Sequence, residues 1–585
     1  MTMKCRITAT GTIQFLALLA ICVLSPSLVE AQNFERYRPK LPSNLEGESK
    51  LPDKPAEATG DPKILVEELK GVIFVDHQDK VVKGAVDASG VQVRSDGGLQ
   101  MLQTLCFQSV VEPYLGEPIS LLRLNELVRD VIVFYRTNDQ PVVDVSIPEQ
   151  DVTDGVVQIV VTEGRIGEVR IDGACYFDPC YLVDQTCAIH HSQIFESVLL
   201  RDLRWLNRNP FREVDLELTP GKKQGETDIV FHVHDRRPLR VYAGYDDTGN
   251  RFTGQERQFY GLNIGNVFNR DHSFGYQFTS SSDFELLRAH SVVYEIPMPN
   301  RDILTFFGSY AEVSSRIGFP FLQDGFSWQA SGRYQHDLPP QCDYEHFITG
   351  GFDFKQTNTN LEFNAINVLQ STADIAQMTF GYHGRLDRDR KSLAMGADVY
   401  ISPGEFSPGN FDRDHRRLRA GAEAEYVYSK MYAEMQVPVS CRWTFVGRLT
   451  GQISEAPILP VEQLGFGGFD TIRGYDMRDI NADSGYILNL ELRTVPKPLG
   501  LQCDDQIQYL AFYDRGDALS RTAFDFQDGS ESLSSVGVGI RYVAGQNVSL
   551  RFDYGFQLDD ANIGLPGRYN SRLHLGLVIS PSFGG

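Results

Sequence analysis

The stretch Gly465-Phe466-Gly467-Gly468-Phe469-Asp470-Thr471-Ile472-Arg473-Gly474-Tyr475 sets a single arginine among glycine, aromatic and aliphatic residues. A connection this long and glycine-rich suits a segment folded back into a pore better than one left in solvent. An unpaired charge in a low-dielectric lumen is costly, so Arg473 needs a carboxylate. One candidate lies in Phe512-Tyr513-Asp514-Arg515-Gly516. With a period of two, Tyr509, Ala511 and Tyr513 share one face and Leu510, Phe512 and Asp514 the other, so Asp514 projects inward if that face is luminal. Gly516 allows a close backbone approach or a sharp turn. Spacing alone does not establish the pair; what it offers is an ion-paired latch rather than a catalytic centre.

Other groupings that could do chemistry are weaker. Cys175, Cys180 and Cys187 lie near His190 and His191. Their spacing matches no standard zinc pattern, which points to a local disulfide among the three and to no metal. The chain has no Gly-x-Ser-x-Gly elbow, no His-Glu-x-x-His pair and no phosphate-cradling Gly-x-x-x-x-Gly-Lys loop, so no catalytic residue and no cofactor is expected. A net charge of -22 argues against nucleic acid as a partner.

The elements that must position the latch begin with the compartment. Lys4 and Arg6 precede an apolar run from Ile13 to Leu24, and Val29-Glu30-Ala31 offers a cleavage site before Gln32, so residues 1–31 read as a cleaved export signal. The run is shorter than the ~20 residues a spanning helix needs. Of the nine cysteines, Cys5 and Cys22 fall in that segment. The rest, Cys106, Cys175, Cys180, Cys187, Cys342, Cys441 and Cys503, are odd in number, which leaves a thiol unpaired. Residues 32–63 carry Pro39, Pro42, Pro52, Pro55 and Pro62 and read as a linker.

From Ile64 the texture is that of a soluble α/β region. Strand-like runs occur at Ile64–Val66, Gly71–Val75, Val142–Ile147, Val156–Thr162 and Ile166–Ile171. Leu121, Leu124, Leu127, Val128, Val131 and Ile132 build one face of a helix over Ser120–Arg136. The pattern recurs with a helix near Ser192–Asn207 and strands at Val214–Leu218 and Thr227–Val233, predicting two small α/β domains at 64–164 and 165–238.

From Leu239 onward the period is two. Phe274, Tyr276 and Phe278 alternate with polar or small residues, as do Tyr486, Leu488, Leu490 and Leu492, and Val548, Leu550, Phe552, Tyr554 and Phe556. Mean hydropathy is -0.25, and no later run of ~18 apolar residues could span as a helix. Alternation hides hydrophobicity from such averages, and only closed barrels satisfy every backbone group in lipid without helices. Large aromatics near strand ends favour membrane girdles over a soluble sandwich. About sixteen segments can be counted, an even number that suits a bacterial barrel. The expected fold is a transmembrane antiparallel β-barrel of about sixteen strands over 239–585, with an in-folded loop at 455–484 and outer-membrane lipid around it.

At these residues a family resemblance is plain. Ile472-Arg473-Gly474-Tyr475 together with Phe512–Gly516 resembles the paired motifs of barrels that insert or translocate polypeptides at outer membranes. Within that superfamily the chain resembles the transporter of two-partner secretion, the hemolysin secretion/activation family. Supporting matches are Tyr135-Arg136, Pro148-Glu149-Gln150, Gly155 and Glu163-Gly164, at the end of a first receptor domain. Asn207, Asn209, Pro210 and the run Gly244–Gly249 match a second domain entering the barrel. The resemblance implies two polypeptide-transport-associated (POTRA) domains and a sixteen-stranded barrel in the outer membrane. It also implies an Arg473–Asp514 pair, an unfolded secreted exoprotein as client, and the barrel-assembly machinery as a partner in biogenesis. An assembly or insertion factor of the same superfamily is the competing reading, but it typically carries more receptor domains than fit before Leu239; a passive pore is a third. Two departures stand out. The prolines of 32–62 are too close for the plug helix many members carry, and the chain ends Ser582-Phe583-Gly584-Gly585 instead of on an aromatic.

Overall fold

The computed structural model describes residues 39–40, 49–50, 57–84, 86–250, 253–318, 321–341, 343–363, 366–388, 390–501, 504–521, 529–559 and 570–581. Residues 1–31, expected as an export signal, most of the expected linker 32–63, Cys342, Cys503 and the terminal 582–585 lie outside the described residues. The chain divides into two units, Ser43–Arg237 and Met1–Pro42 with Pro238–Gly585.

The first unit holds two four-stranded sheets, each with its own core. In the first, the order is Gly90–Arg94, Gly71–Val75, Val156–Glu163, Val143–Ser146. Gly71–Val75 is buried along its whole length, because Val72 and Phe74 enter the main core while Ile73 and Val75 enter a smaller one on the other face. The helix Leu121–Thr137 starts where the Ser120 side chain accepts the Arg123 N–H. It buries Leu124, Leu127, Val131 and Tyr135 against Val157, Ile159 and Val161. The sequence reading had no strand at Gly90–Arg94 and no helix at Leu105–Val111. The strand is a half-exposed edge and the helix spans two turns, too short for periodicity to register.

In the second sheet the order is Ser49–Lys50, Arg212–Pro220, Glu226–Asp235, Arg165–Asp172. Leu199, Leu203 and Leu206 of the helix Glu196–Leu206 pack on Val214, Leu216, Ile229, Phe231 and Val233. Ser49–Lys50 pairs parallel with Leu216 and Glu217. Part of the segment expected as linker is therefore an edge strand.

The second unit is a closed barrel of sixteen antiparallel strands, from Leu239–Asp246 to Ser571–Ile579. It shuts through pairing of Ala243–Asp246 with Gly576–Ile579. Alternation sorts the side chains as lipid and water demand. Tyr260, Phe306, Tyr310, Tyr334, Phe380 and Tyr486 are exposed on the outer face, whereas Gln277, Asp353, Lys355, Glu491, Asp514 and Asp553 are buried. Pro39 and Lys40 lie along the inner wall: the Lys40 N–H donates to the Tyr242 hydroxyl at 2.9 Å, and Arg240 Nη1 donates to the Lys40 carbonyl at 2.9 Å.

Candidate functional site: an in-folded loop in the barrel lumen

The connection between the strands Trp443–Ser454 and Ser484–Thr494 turns inward and closes on itself as a short hairpin, Leu464–Phe466 with Ile480–Ala482. Leu464, Phe466, Ile472, Tyr475, Ile480 and Ala482 form a cluster with Ile487, Ala518 and Leu533 of the wall. The apolar residues that made this loop unsuited to solvent are thus what seats it. Gly516 has no positive φ; it is needed for close approach, since a Cβ there would lie 2.6 Å from Ile472 Cδ1 and 2.8 Å from Phe466 Cδ1.

Arg473 is 2% exposed and faces three carboxylates. Nε donates to Asp514 Oδ2 at 2.7 Å and Nη2 to Oδ1 at 2.8 Å, a two-point pairing that fixes the plane of the guanidinium. The Arg473 N–H also donates to Asp514 Oδ2, at 3.1 Å. Nη1 donates to Glu491 Oε1 at 2.7 Å, and Asp553 Oδ1 lies 3.7 Å from it. The guanidinium carbon sits 3.6 Å from the Phe512 ring centroid, which gives Phe512 a cation–π role. Asn489 Nδ2 donates both to Asp514 Oδ1 at 2.8 Å and to the Thr471 carbonyl at 2.6 Å. The charges alternate outward from there: Arg493 holds Glu491, while Arg541 and Arg551 hold Asp553.

The rest of the motif seats the tip. The Gly474 N–H donates to His574 Nε2 at 3.1 Å, and His574 Nδ1 lies 2.9 Å from Asp247 Oδ2. Gln557 Nε2 donates to the Gly474 carbonyl at 2.6 Å. The Tyr475 hydroxyl lies 2.9 Å from the Ser534 carbonyl and 2.8 Å from that of Asp559. Gly467 and Gly468, at φ 98° and 112°, turn the chain into the tip. The structure therefore brings Arg473 and Asp514 together. Glu491 and Asp553 were missed as partners, although their places on the polar faces of Tyr486–Leu492 and Val548–Phe556 were visible in the alternation.

The receptor-region residues hold backbone. Gln150 bridges its loop to the strand Val156–Glu163, donating to the Gln158 carbonyl and accepting the Gln158 N–H, each at 2.6 Å. Its Nε2 also donates to the Pro148 carbonyl at 3.2 Å, while Glu149 is exposed. Gly155 has φ 80°, and a Cβ there would lie 2.5 Å from the Glu68 carbonyl. Glu163 accepts the Tyr135 hydroxyl at 3.0 Å and Gln193 Nε2 at 2.9 Å, and the Gly164 N–H donates to the Val142 carbonyl. Burial, with Glu163 alongside, pushes the Tyr135 phenol far above its ordinary range. Asn207 exchanges two hydrogen bonds with the Val214 backbone, Asn209 accepts the Phe211 N–H, and the Pro210 carbonyl accepts from Arg236.

The disulfide expected among Cys175, Cys180 and Cys187 does not form: all three are free and exposed. Each backbone is tied to a different anchor. Asp235 takes the Cys175 N–H, Asp178 takes that of Cys180, and Asp202 takes that of Cys187. Among the described residues no group of His, Cys, Asp and Glu is placed to hold a metal ion.

Two α/β modules ahead of a closed sixteen-stranded barrel, with a loop ion-paired inside it, define an outer-membrane β-barrel whose lumen is occupied by its own chain. Residues 225–542 match the family model of the haemolysin secretion/activation protein ShlB/FhaC/HecB, and residues 90–164 match the ShlB-type POTRA domain. The chain belongs to the haemolysin secretion/activation family. It is 21% identical over 471 residues to the heme/hemopexin transporter protein HuxB of Haemophilus influenzae, covering 77% of this chain and 80% of that one. It is 22% identical over 404 residues to the outer membrane transporter CdiB of Dickeya dadantii, covering 65% and 67%. The solved structure of CdiB from Escherichia coli superposes with a TM-score of 0.70 at 18% identity, covering 88% of this chain and 90% of that one. The barrel resides in the outer membrane with its POTRA domains in the periplasm, and the chain serves two-partner secretion.

Proposed function

We propose that residues 64–164 and 165–238 are two POTRA domains that capture an unfolded secreted polypeptide, and that the barrel 239–585 conducts it outward once the loop 455–484 has moved. The observation that carries this reading is the buried pairing of Arg473 with Asp514 and Glu491, which stations a loop inside the lumen. A lumen so occupied has to clear before a chain can pass.

Capture needs no particular client sequence. An extended segment can add to an exposed sheet edge through backbone hydrogen bonds, and Gly90–Arg94, Val143–Ser146 and Arg165–Asp172 are edge strands of the two sheets. Energy comes from folding of the client outside, which makes return unfavourable. No catalytic step is assigned to this chain. Lipid surrounds the barrel, the barrel-assembly machinery inserts it, and nucleic acid is not a partner. Co-expression with a long secreted exoprotein encoded beside it tests the reading: client in the medium supports it, and client retained in the periplasm of cells with a correctly folded barrel refutes it.

A further inference from the structure

The tip of the in-folded loop rests where the barrel closes. That seam, between the strands Leu239–Asp246 and Ser571–Ile579, is four residue pairs long, from Ala243 with Ile579 to Asp246 with Gly576. The next shortest ladders of the barrel, Leu239–Asp246 with Arg257–Val267 and His272–Ser281 with Leu287–Pro297, hold eight pairs each. Beyond Asp246 the seam is continued by Asp247. Its N–H donates to the Leu575 carbonyl at 3.2 Å, and its Oδ1 accepts the Leu575 N–H at 3.1 Å, in the role a backbone carbonyl plays within a ladder.

The other oxygen of Asp247 leads to the loop. Oδ2 lies 2.9 Å from His574 Nδ1, and His574 Nε2 lies 3.1 Å from the Gly474 nitrogen. A backbone N–H can only donate, so Nε2 carries the lone pair and Nδ1 the proton, which it gives to Asp247. The buried imidazole is thus a neutral bridge between tip and seam. Two contacts run beside it. Arg572 reaches Asp247 Oδ2 with Nε at 3.5 Å and Asp476 of the loop with Nη1. Phe469 covers Gly576 of the seam, where a Cβ would lie 2.8 Å from its Cζ.

We propose that His574 and Asp247 are positioning residues that seat the loop tip on the closing seam, so that the docked tip and this end of the seam hold each other. This rests on the transport reading above and names what aligns its loop. One carboxylate serves both sides: Oδ1 extends the ladder, and Oδ2 fixes the tautomer that receives Gly474. When the seam parts at Leu575, Asp247 shifts and the imidazole loses its alignment. When the tip lifts, His574 and Arg572 lose the bonds to Gly474 and Asp476 that keep them facing Asp247. Arg473 grips elsewhere, since Glu491, Asp514 and Asp553 stand on strands outside the seam ladder.

Hydrogen exchange of the folded, heat-modifiable full chain in detergent, read by mass spectrometry, tests this without a client, so its failure and a failure of the transport reading show separately. The reporters are the loop around Gly474 and the seam segments Ala243–Asp247 and Leu575–Ile579. The ladder between Tyr344–Phe363 and Ile366–Arg388 is the internal reference. His574→Asn keeps an N–H near the Nδ1 position but offers Gly474 no acceptor, whereas His574→Gln brings an amide oxygen near the Nε2 position. H574N should raise exchange at tip and seam roughly three- to tenfold, the size expected for losing a hydrogen bond, and H574Q should return the tip toward wild type. Arg473→Ala, which undocks the tip without altering a seam residue, should raise seam exchange by a similar factor and leave the reference ladder unchanged. Seam exchange equal to wild type in R473A overturns the proposal, as does unchanged tip exchange in H574N. Equal rises in H574N and H574Q also overturn it, since they would mark the imidazole as packing alone. If H574N does not fold, the R473A comparison decides.

Discussion

Gly474 of the loop and Gly555 of the barrel wall pass so closely that a side chain on either would press on the backbone of the other. A Cβ on Gly474 would lie 3.1 Å from the Gly555 carbonyl, and one on Gly555 would lie 2.7 Å from the Gly474 nitrogen. Gly474 also holds φ 96°, which few other residues tolerate. The wall strand is ordinary extended backbone at Gly555, so Gly555→Val should leave the barrel intact while pushing the tip away. The expected outcome is a folded, heat-modifiable barrel with raised single-channel opening; unaltered opening would show that the tip does not rest there.

Replacing Arg473 with Ala leaves Asp514 buried with Asn489 as its neighbour. Removing one partner of a buried pair costs about 3–5 kcal/mol, enough to unseat the loop, and client secretion should be abolished while insertion continues. Wild-type secretion by this variant would count against the loop as the moving part.

The swap of Arg473 and Asp514 should recover a fraction of that loss. Glu491 and Asp553 also face position 473, so an aspartate there meets two further carboxylates and full recovery is not expected. Arg473→Lys keeps the charge but loses the two-point geometry, and should fall between wild type and Ala. Secretion assays on the series give the order; a swap no better than Ala would argue against direct contact.

Tyr135 makes a pH prediction. Burial beside Glu163 raises its pKa in the folded domain, so the fold favours the protonated phenol. That stabilisation is complete below the ordinary phenol value of about 10 and is lost as pH climbs through the higher folded value. Proteolysis of the full chain should release the helix Leu121–Thr137 more readily at strongly alkaline pH. Tyr135→Phe, which has nothing to ionise, should flatten that dependence; an equally steep profile would place the alkaline weakness elsewhere.

With Cys175, Cys180 and Cys187 free and exposed, a maleimide should label all three in the native protein without reductant. Their joint replacement by Ser should leave secretion unchanged. Labelling that appears only after reduction would restore the disulfide.

What the sequence made legible follows from physical regularities. Alternation from Leu239 onward is imposed by lipid on one face and water on the other, so the barrel and the luminal placement of Asp514 could be read strand by strand. Arg473 stood out because a lone guanidinium among glycines and aromatics has few stable settings. His574 did not stand out. Its partner Asp247 lies 327 residues away, and in an alternating strand a luminal histidine looks like any other polar position. The three cysteines show the opposite case: closeness along the chain suggested a bond, whereas all three stand free and exposed.

The trio Glu491, Asp514 and Asp553 has a consequence for the resting cell. A bore wide enough for a polypeptide would leak small solutes if it stayed open after each passage. Glu491 and Asp553 keep their own arginines, so Asp514 is the carboxylate left for a returning guanidinium to pair with. If the loop moves as proposed, renewed pairing of Arg473 with Asp514 closes the bore again after each passage.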